Sequence, residues 1–149
     1  MALKVGDIVP RFTAKDTSGN LFDSQAVIGK KITVIYFYPK DDTSQCTAEA
    51  CGFRDNYADL AALNVEVIGI SSDSVASHQE FSRKYNLPFI LLSDSDKVIR
   101  KLFGVPADFL GLLPGRTTYL VDEKGVIQMV FDSVNGMKHV SKMIEKLTK

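Results

Sequence analysis

The longest apolar run in the chain is Ile32-Thr33-Val34-Ile35-Tyr36-Phe37-Tyr38-Pro39. Its β-branched and aromatic residues favour an extended conformation, and Pro39 ends the run. Because both alternating faces are apolar, the run is typical of a strand that is covered on both sides of its sheet. It predicts the central strand of an α/β fold.

Patterns of helix and strand continue on both sides of this central strand. Before it, a turn cluster at 16–20 separates residues 12–14 from 21–22 and predicts an N-terminal hairpin. After it, the patterns predict in chain order a helix over about 44–63, a strand over 65–71, a helix capped by Asp73 or Ser74 and reaching about Tyr85, a strand over 89–92, a helix over 96–103, a loop over 104–115, strands 117–121 and 126–131 in a hairpin, and an amphipathic helix over 137–147. This order predicts an α/β, thioredoxin-like three-layer sandwich with an added N-terminal β-hairpin.

Length and charge narrow the class of protein. The 149 residues are typical of a single domain, 1–149, whose core needs no disulfide. Lys and Arg number 18, as do Asp and Glu, so the formal net charge is zero. A surface that follows phosphates carries excess Lys and Arg, so we expect no nucleic acid and no membrane as partner.

The N-terminus bears on the compartment. Residues 1–7 lack the apolar stretch of about 7–15 residues that a signal peptide contains. We therefore expect a cytoplasmic protein, or one of an organelle stroma if a transit peptide was removed. In a reducing compartment, a cysteine pair is more often catalytic, redox-sensing or metal-binding than structural.

The chain has two cysteines, Cys46 and Cys51. Cys46 falls between the central strand and the next helix, and a helix N-terminus favours a thiolate over a thiol. The hydroxyl of Thr43 is in sequence range to contact the sulfur or to cap the helix, and Lys40 adds a positive charge. The alternative is a buried, unreactive cysteine.

The spacing of the two cysteines limits how they can bond. Five residues of regular helix separate their Cα atoms by about 8.7 Å, whereas a disulfide needs about 4.4–6.8 Å. Cys46 and Cys51 therefore stay unbonded, or bond only when the first helical turns unwind. As a permanent crosslink, a loop of about six residues contributes only roughly 2 kcal/mol.

The segment 36–51 contains Pro39-x-x-x-Thr43-x-x-Cys46 and resembles the active-site motif of the peroxiredoxin family. With Cys51 five residues on, it is similar to the bacterioferritin-comigratory-protein, or peroxiredoxin Q, subfamily of atypical two-cysteine enzymes. Further matches cover nearly the whole chain, at 6–12, 67–71, 91–94, 103–105 and 114–122. One departure is Ser44-Gln45, where the subfamily usually has Pro-Gly.

The resemblance implies a thiol-dependent peroxidase that reduces hydrogen peroxide and organic hydroperoxides. Cys46 would attack the terminal peroxide oxygen and become a sulfenic acid. Cys51 would resolve that acid as an intramolecular disulfide, which thioredoxin or a glutaredoxin-like protein would reduce. The resemblance further implies a monomer that uses no cofactor and no metal.

The resemblance also assigns roles to four other residues. The Thr43 hydroxyl would be a fixed donor for charge that moves from sulfur onto the departing oxygen. Arg116 would hold the thiolate and polarise the peroxide. Glu49 would orient Arg116, and Pro39 would shield the sulfur from water.

Three other functions stay open on the sequence alone. Dithiol–disulfide exchange prefers Cys-x-x-Cys, which this chain lacks. A metal-binding or redox-sensing module would use the two cysteines with His78 and His139, but these match no ligand spacing, and we expect both histidines on the surface. A non-enzymatic scaffold would not explain why Thr43, Cys46 and Arg116 occur together in this chain.

Overall fold

The computed structural model describes residues 2–105, 107–108 and 113–148. The strands within these residues are β1 (Thr13–Lys15), β2 (Leu21–Asp23), β3 (Ile32–Phe37), β4 (Val65–Ser71), β5 (Ile90–Ser93), β6 (Ala107–Asp108), β7 (Leu113–Pro114), β8 (Thr117–Val121) and β9 (Ile127–Asp132). The α-helices are α1 (Ser44–Asp55), α2 (Tyr57–Ala62), α3 (Val75–Tyr85), α4 (Val98–Phe103) and α5 (Gly136–Leu147). A short 3-10 helix spans Ser24–Ala26.

Seven strands form one sheet in the order β2-β1-β5-β4-β3-β8-β9. The strand β3 lies inside this sheet, parallel to β4 and antiparallel to β8. The prediction of a central strand is therefore confirmed. The predicted N-terminal hairpin is also present, because β1 pairs antiparallel with β2.

The core lies on both faces of the sheet. Val34, Tyr36 and Tyr38 belong to one buried cluster, whereas Ile35 and Phe37 belong to another. The helices α1, α3 and α5 contribute to the first cluster, and α4 contributes to the second together with the N-terminal segment. The alternation seen in the sequence of β3 thus corresponds to two apolar layers, each covered by other elements.

The predicted helix over 44–63 is wrong in one respect, because it is broken into α1 and α2 at Asn56. The side-chain amide of Asn56 donates to the backbone carbonyl of Gly52 at 2.8 Å. Asn side chains compete in this way with backbone hydrogen bonds and favour helix ends. The break gives α1 a length of 12 residues.

Within the predicted loop over 104–115, two short strands, β6 and β7, pair antiparallel. Pro106 and Gly111, which suggested the loop, lie outside the described residues. No helix among the residues that the structure describes is long and apolar enough to cross a membrane.

Candidate active site

Cys46 lies in the first turn of α1, just beyond the carboxyl end of β3. The intervening loop is anchored by Asp41, whose carboxylate accepts the hydroxyl of Tyr38 at 2.6 Å and the hydroxyl of Ser77 at 2.8 Å. The backbone N–H of Asp41 donates to Asp73 at 2.7 Å. These bonds connect the loop to α3 and to the end of β4, so the start of α1 has a fixed position.

Arg116 reaches Cys46 because of the strand pairing. Thr117, the first residue of β8, is opposite Phe37, the last residue of β3, so Arg116 lies near the start of α1. Its Nη2 donates to Sγ of Cys46 at 3.1 Å. Cys46 is only 1% exposed and Arg116 only 4%. A guanidinium at this distance stabilises negative charge on the sulfur.

Glu49 completes this contact from the same helix. It follows Cys46 by three residues, so both side chains lie on one face of α1. Its Oε1 accepts a short hydrogen bond from Nη1 of Arg116. The guanidinium therefore bridges the sulfur and the buried carboxyl group of Glu49. The structure thus brings together three residues predicted from the sequence: Cys46, Glu49 and Arg116.

Burial and neighbouring charges shift the pKa values of Glu49 and Arg116. Burial raises the pKa of Glu49 to about 8, although Arg116 acts in the opposite direction. Burial alone would lower the pKa of Arg116, but the charges of Glu49 and Cys46 outweigh it and raise that pKa. Arg116 thus remains a cation inside the protein.

His139 lies behind Glu49 and is fully buried, so its expected surface position is wrong. Its Nε2 contacts the carbonyl of Ser133 at 2.7 Å, and its Nδ1 contacts the hydroxyl of Thr118 at 2.6 Å. Nδ1 also lies 3.6 Å from Oε2 of Glu49. Burial lowers the pKa of His139 to about 4, despite the opposing hydrogen bond to Ser133.

His78 is also fully buried, which again corrects the surface expectation. Its Nδ1 lies 2.7 Å from Oδ2 of Asp41, and its Nε2 lies 2.9 Å from the carbonyl of Leu92. The helical spacing of apolar residues could have predicted the burial of both histidines. His78 lies three residues before the buried Phe81, and His139 lies four before the buried Met143, so each is on the inward face of its helix.

The metal-binding alternative used Cys46, Cys51, His78 and His139. Within the described ranges, the grouping of possible ligand atoms is a different one, Asp41, Asp73 and His78, all within 4.8 Å of one another. Oδ2 of Asp73 already accepts the N–H of Asp41 and the hydroxyl of Ser71. Protein hydrogen bonds thus account for this cluster as an anchor of the loop.

Thr43 occupies the N-cap position of α1, but its side chain makes no capping hydrogen bond. The suggestion that its hydroxyl caps the helix is therefore wrong. Asp42 adopts a left-handed conformation with φ of 58°, and in this turn the Thr43 hydroxyl donates to the carbonyl of Lys40 at 2.9 Å. Pro39 directly follows the buried Tyr38 and is half-buried.

Cys51 lies on α1 and is half-buried, and both thiols are free. Since Cys46 and Cys51 belong to one continuous helix, their spacing is the unbonded one that helix geometry requires. Burial raises the pKa of Cys51, with Arg54 acting in the opposite direction. The two sulfurs therefore occupy different environments, one beside a guanidinium and one near the surface.

Known proteins are similar to this chain in sequence. The AhpC/TSA family profile matches residues 5–130. The chain is 46% identical over 143 residues to "Peroxiredoxin Q, chloroplastic" of Populus jackii, covering 95% of this chain and 67% of that protein. It is 44% identical over 154 residues to "Putative peroxiredoxin bcp" of Coxiella burnetii, covering 99% of this chain and all of that protein.

A solved structure gives the same result. The bacterioferritin comigratory protein of Xanthomonas campestris, studied for its alkyl peroxide reduction activity, aligns with a TM-score of 0.83 at 28% identity. The alignment covers 92% of this chain and 90% of that one. The predicted thioredoxin-like fold is therefore confirmed.

The relatives differ in length from this chain. It spans 64% to 67% of four of the plant relatives that it matches, and the whole of the Coxiella protein. The match to the family profile and the two relatives confirm the resemblance seen in segment 36–51. The chain belongs to the AhpC/TSA family and, within it, to the peroxiredoxin Q and bacterioferritin-comigratory-protein group.

Proposed function

We propose that this chain reduces hydrogen peroxide and organic hydroperoxides through Cys46. The observation that carries the proposal is the 3.1 Å hydrogen bond from Arg116 to Sγ of Cys46. A buried cation at the sulfur favours the nucleophilic thiolate. It can also stabilise the charge that moves onto the departing oxygen, without any rearrangement of the site.

The first step is a displacement at oxygen. The Cys46 thiolate attacks the terminal oxygen of the peroxide, an S–O bond forms, and the O–O bond breaks. The electron pair leaves with the other oxygen, which takes up a proton to become water or an alcohol. The sulfur is oxidised to a sulfenic acid and the peroxide is reduced.

Four neighbouring residues assist this step. Arg116 contacts the sulfur and polarises the peroxide, and Glu49 holds Arg116 through the bond to Nη1. The Thr43 hydroxyl lies at the start of α1, where it donates to the carbonyl of Lys40, and we expect it to donate to the bound peroxide instead. Pro39 shields the sulfur from water at the end of β3.

The second step forms a disulfide. The thiol of Cys51 attacks the sulfenic sulfur of Cys46, an S–S bond forms, and the hydroxyl leaves as water with the thiol proton. Because the two cysteines lie on one helix, α1 must unwind locally for this step. A dithiol protein, thioredoxin or glutaredoxin-like, then reduces the disulfide to two thiols and becomes oxidised itself.

We place the protein in the cytoplasm or an organelle stroma, where dithiol reductants are available, and several plant relatives are named chloroplastic. We propose that it acts as a monomer, because both cysteines and Arg116 come from the one chain and the cycle needs no second copy.

A coupled assay tests this function. NADPH consumption is followed with thioredoxin, thioredoxin reductase and a peroxide for wild type, Cys46→Ser and Cys51→Ser. Wild type should turn over, and Cys46→Ser should be inactive. In the presence of thioredoxin, Cys51→Ser should reduce about one equivalent of peroxide and then stop. Full activity in Cys46→Ser, or reduction of insulin disulfides in place of peroxide by wild type, would overturn the proposal.

A further inference from the structure

We propose that His139 is a positioning residue for Cys46. It shares one proton with Glu49, and because this proton neutralises Glu49, the positive charge of Arg116 stays directed at the sulfur of Cys46. The inference rests on the proposed function of Cys46 and adds a residue that the family motif in segment 36–51 does not contain. It is carried by the hydrogen bonds of His139 and by an unpaired oxygen of Glu49.

The hydrogen bonds of His139 define where its protons are. The carbonyl of Ser133 is only an acceptor, so Nε2 of His139, 2.7 Å away, carries a hydrogen. In the neutral ring, Nδ1 then has a lone pair, which accepts the hydroxyl of Thr118 at 2.6 Å. His139 therefore presents an acceptor to the interior of the site.

The acceptor of His139 faces a second acceptor. Oε2 of Glu49 is buried and receives no hydrogen bond from the described part of the chain. It lies 3.6 Å from Nδ1 of His139. This distance is longer than a hydrogen bond, and two buried acceptors this close can approach to hydrogen-bond range only when one of them binds a proton.

The charges of the site favour such a proton. A Cys46 thiolate, the Arg116 guanidinium and a Glu49 carboxylate sum to one negative charge, in a place where all three side chains are nearly inaccessible. A proton on Glu49 makes the sum zero, which lowers the cost of burying these groups. Tyr36 of β3 also faces the site, and its buried hydroxyl has no partner within the described residues.

The proton resides on Glu49 rather than on the imidazole. Burial raises the pKa of Glu49 to about 8 and lowers that of His139 to about 4. Nδ1 of His139 has one lone pair, so the hydroxyl of Thr118 and the protonated Oε2 compete for it. Loss of the proton leaves an ionised Glu49, which draws the guanidinium of Arg116 away from the sulfur.

This arrangement predicts how peroxide reduction varies with pH. The second-order rate constant of Cys46 with hydrogen peroxide should fall on the alkaline side as Glu49 ionises. His139→Gln places an amide donor towards Oε2 and favours the carboxylate, so the alkaline limb should move down by about one pH unit, with a roughly fivefold lower rate at its original midpoint. Thr118→Val frees Nδ1 for the proton, so the limb should move up.

The rate measurement uses Cys51→Ser as the background, because Cys46 is then the only thiol. Competition with a haem peroxidase for hydrogen peroxide gives the rate constant between pH 5.5 and pH 10. Shifts in opposite directions for His139→Gln and Thr118→Val support the proposal, since a merely structural residue would change the rate equally at every pH. If the alkaline limb of the pH–rate profile stays in place, or moves in the same direction in both variants, the proposal is overturned.

A second measurement needs neither peroxide nor a His139 variant. Infrared difference spectra between wild type and Glu49→Gln should show the band of a protonated carboxylic acid at pH 6, and the band should disappear at alkaline pH. Absence of the band at pH 6 contradicts the shared proton. Failure of the proposed function has a different signature, because Cys46 would then react with peroxide at no pH.

Discussion

Arg116 and Cys46 are 70 residues apart in the chain, yet Nη2 of Arg116 donates to Sγ of Cys46 at 3.1 Å. The contact depends on β8 running antiparallel to β3, which places the residue before β8 beside the start of α1. The same guanidinium holds Glu49 through its other terminal nitrogen. The geometry of the sheet therefore determines the electrostatic environment of the sulfur.

Replacement of Arg116 by lysine should reduce kcat/KM for hydrogen peroxide by about 10²-fold. Lysine keeps the charge, but its single ammonium group cannot bond to Sγ of Cys46 and Oε1 of Glu49 in the same fork-like geometry. The coupled peroxidase assay measures the effect. The matched control is Arg83→Lys on the exposed surface of α3, where Arg83 bonds only to Glu80 among the contacts described, and activity should not change. Equal activity of both variants would contradict the role of Arg116.

Glu49 should make the stability of the protein depend on pH. Its pKa is about 8 in the folded protein and near 4.5 in an unfolded chain, so the folded state holds an extra proton between these values. Rising pH therefore favours unfolding across this window, by at most about 1.4 kcal/mol per pH unit. Urea unfolding should show the free energy of unfolding of wild type falling relative to Glu49→Gln from about pH 4.5 to about pH 8. A constant difference at all pH values would rule this out.

The parts of the site that the sequence predicted are those set by regular elements. The apolar run of β3 and the helix after it place Cys46, and one helical turn places Glu49. The orientation of the Thr43 hydroxyl was not predictable, because it depends on the left-handed turn at Asp42. The burial of His139 depends on α1, β8 and the segment after β9 together, and a pattern within one helix does not contain those partners.

Gln45 is expected to stabilise the contact between α1 and α5. Its Oε1 accepts the backbone N–H of Gly136 at 2.8 Å, at the start of the helix that carries His139. An added Cβ on Gly136 would lie 2.2 Å from the carbonyl oxygen of Gln45, so this close approach requires glycine. Gln45→Gly removes the side-chain bond and adds backbone freedom, and should cost about 1–2 kcal/mol in the free energy of unfolding.

Urea unfolding of Gln45→Gly checks this cost, with Ser44→Ala as its neighbour control. Ser44 is exposed, and its substitution should change the free energy of unfolding by less than about 0.5 kcal/mol. An equal effect of the two substitutions would show that the bond from Gly136 to Gln45 contributes nothing.

Oxidation should unwind part of α1. Both cysteines lie in its 12 residues, and an intact helix holds their Cα atoms about 8.7 Å apart, too far for a disulfide. Amide hydrogen exchange in α1 should therefore be faster in the disulfide form than in the reduced form, whereas α3 serves as an internal reference that should not change. Equal protection of α1 in the two forms would exclude local unwinding.

The most direct test of the account is chemical identification of the oxidised sulfur. Cys51→Ser protein is treated with one equivalent of hydrogen peroxide in the presence of dimedone, which traps sulfenic acids, and the peptides are mapped by mass spectrometry. The account predicts one dimedone adduct, on Cys46, and in wild type a Cys46–Cys51 disulfide in its place. Consumption of peroxide with no adduct on Cys46, or an unmodified Cys46 with the peroxide left intact, would contradict it.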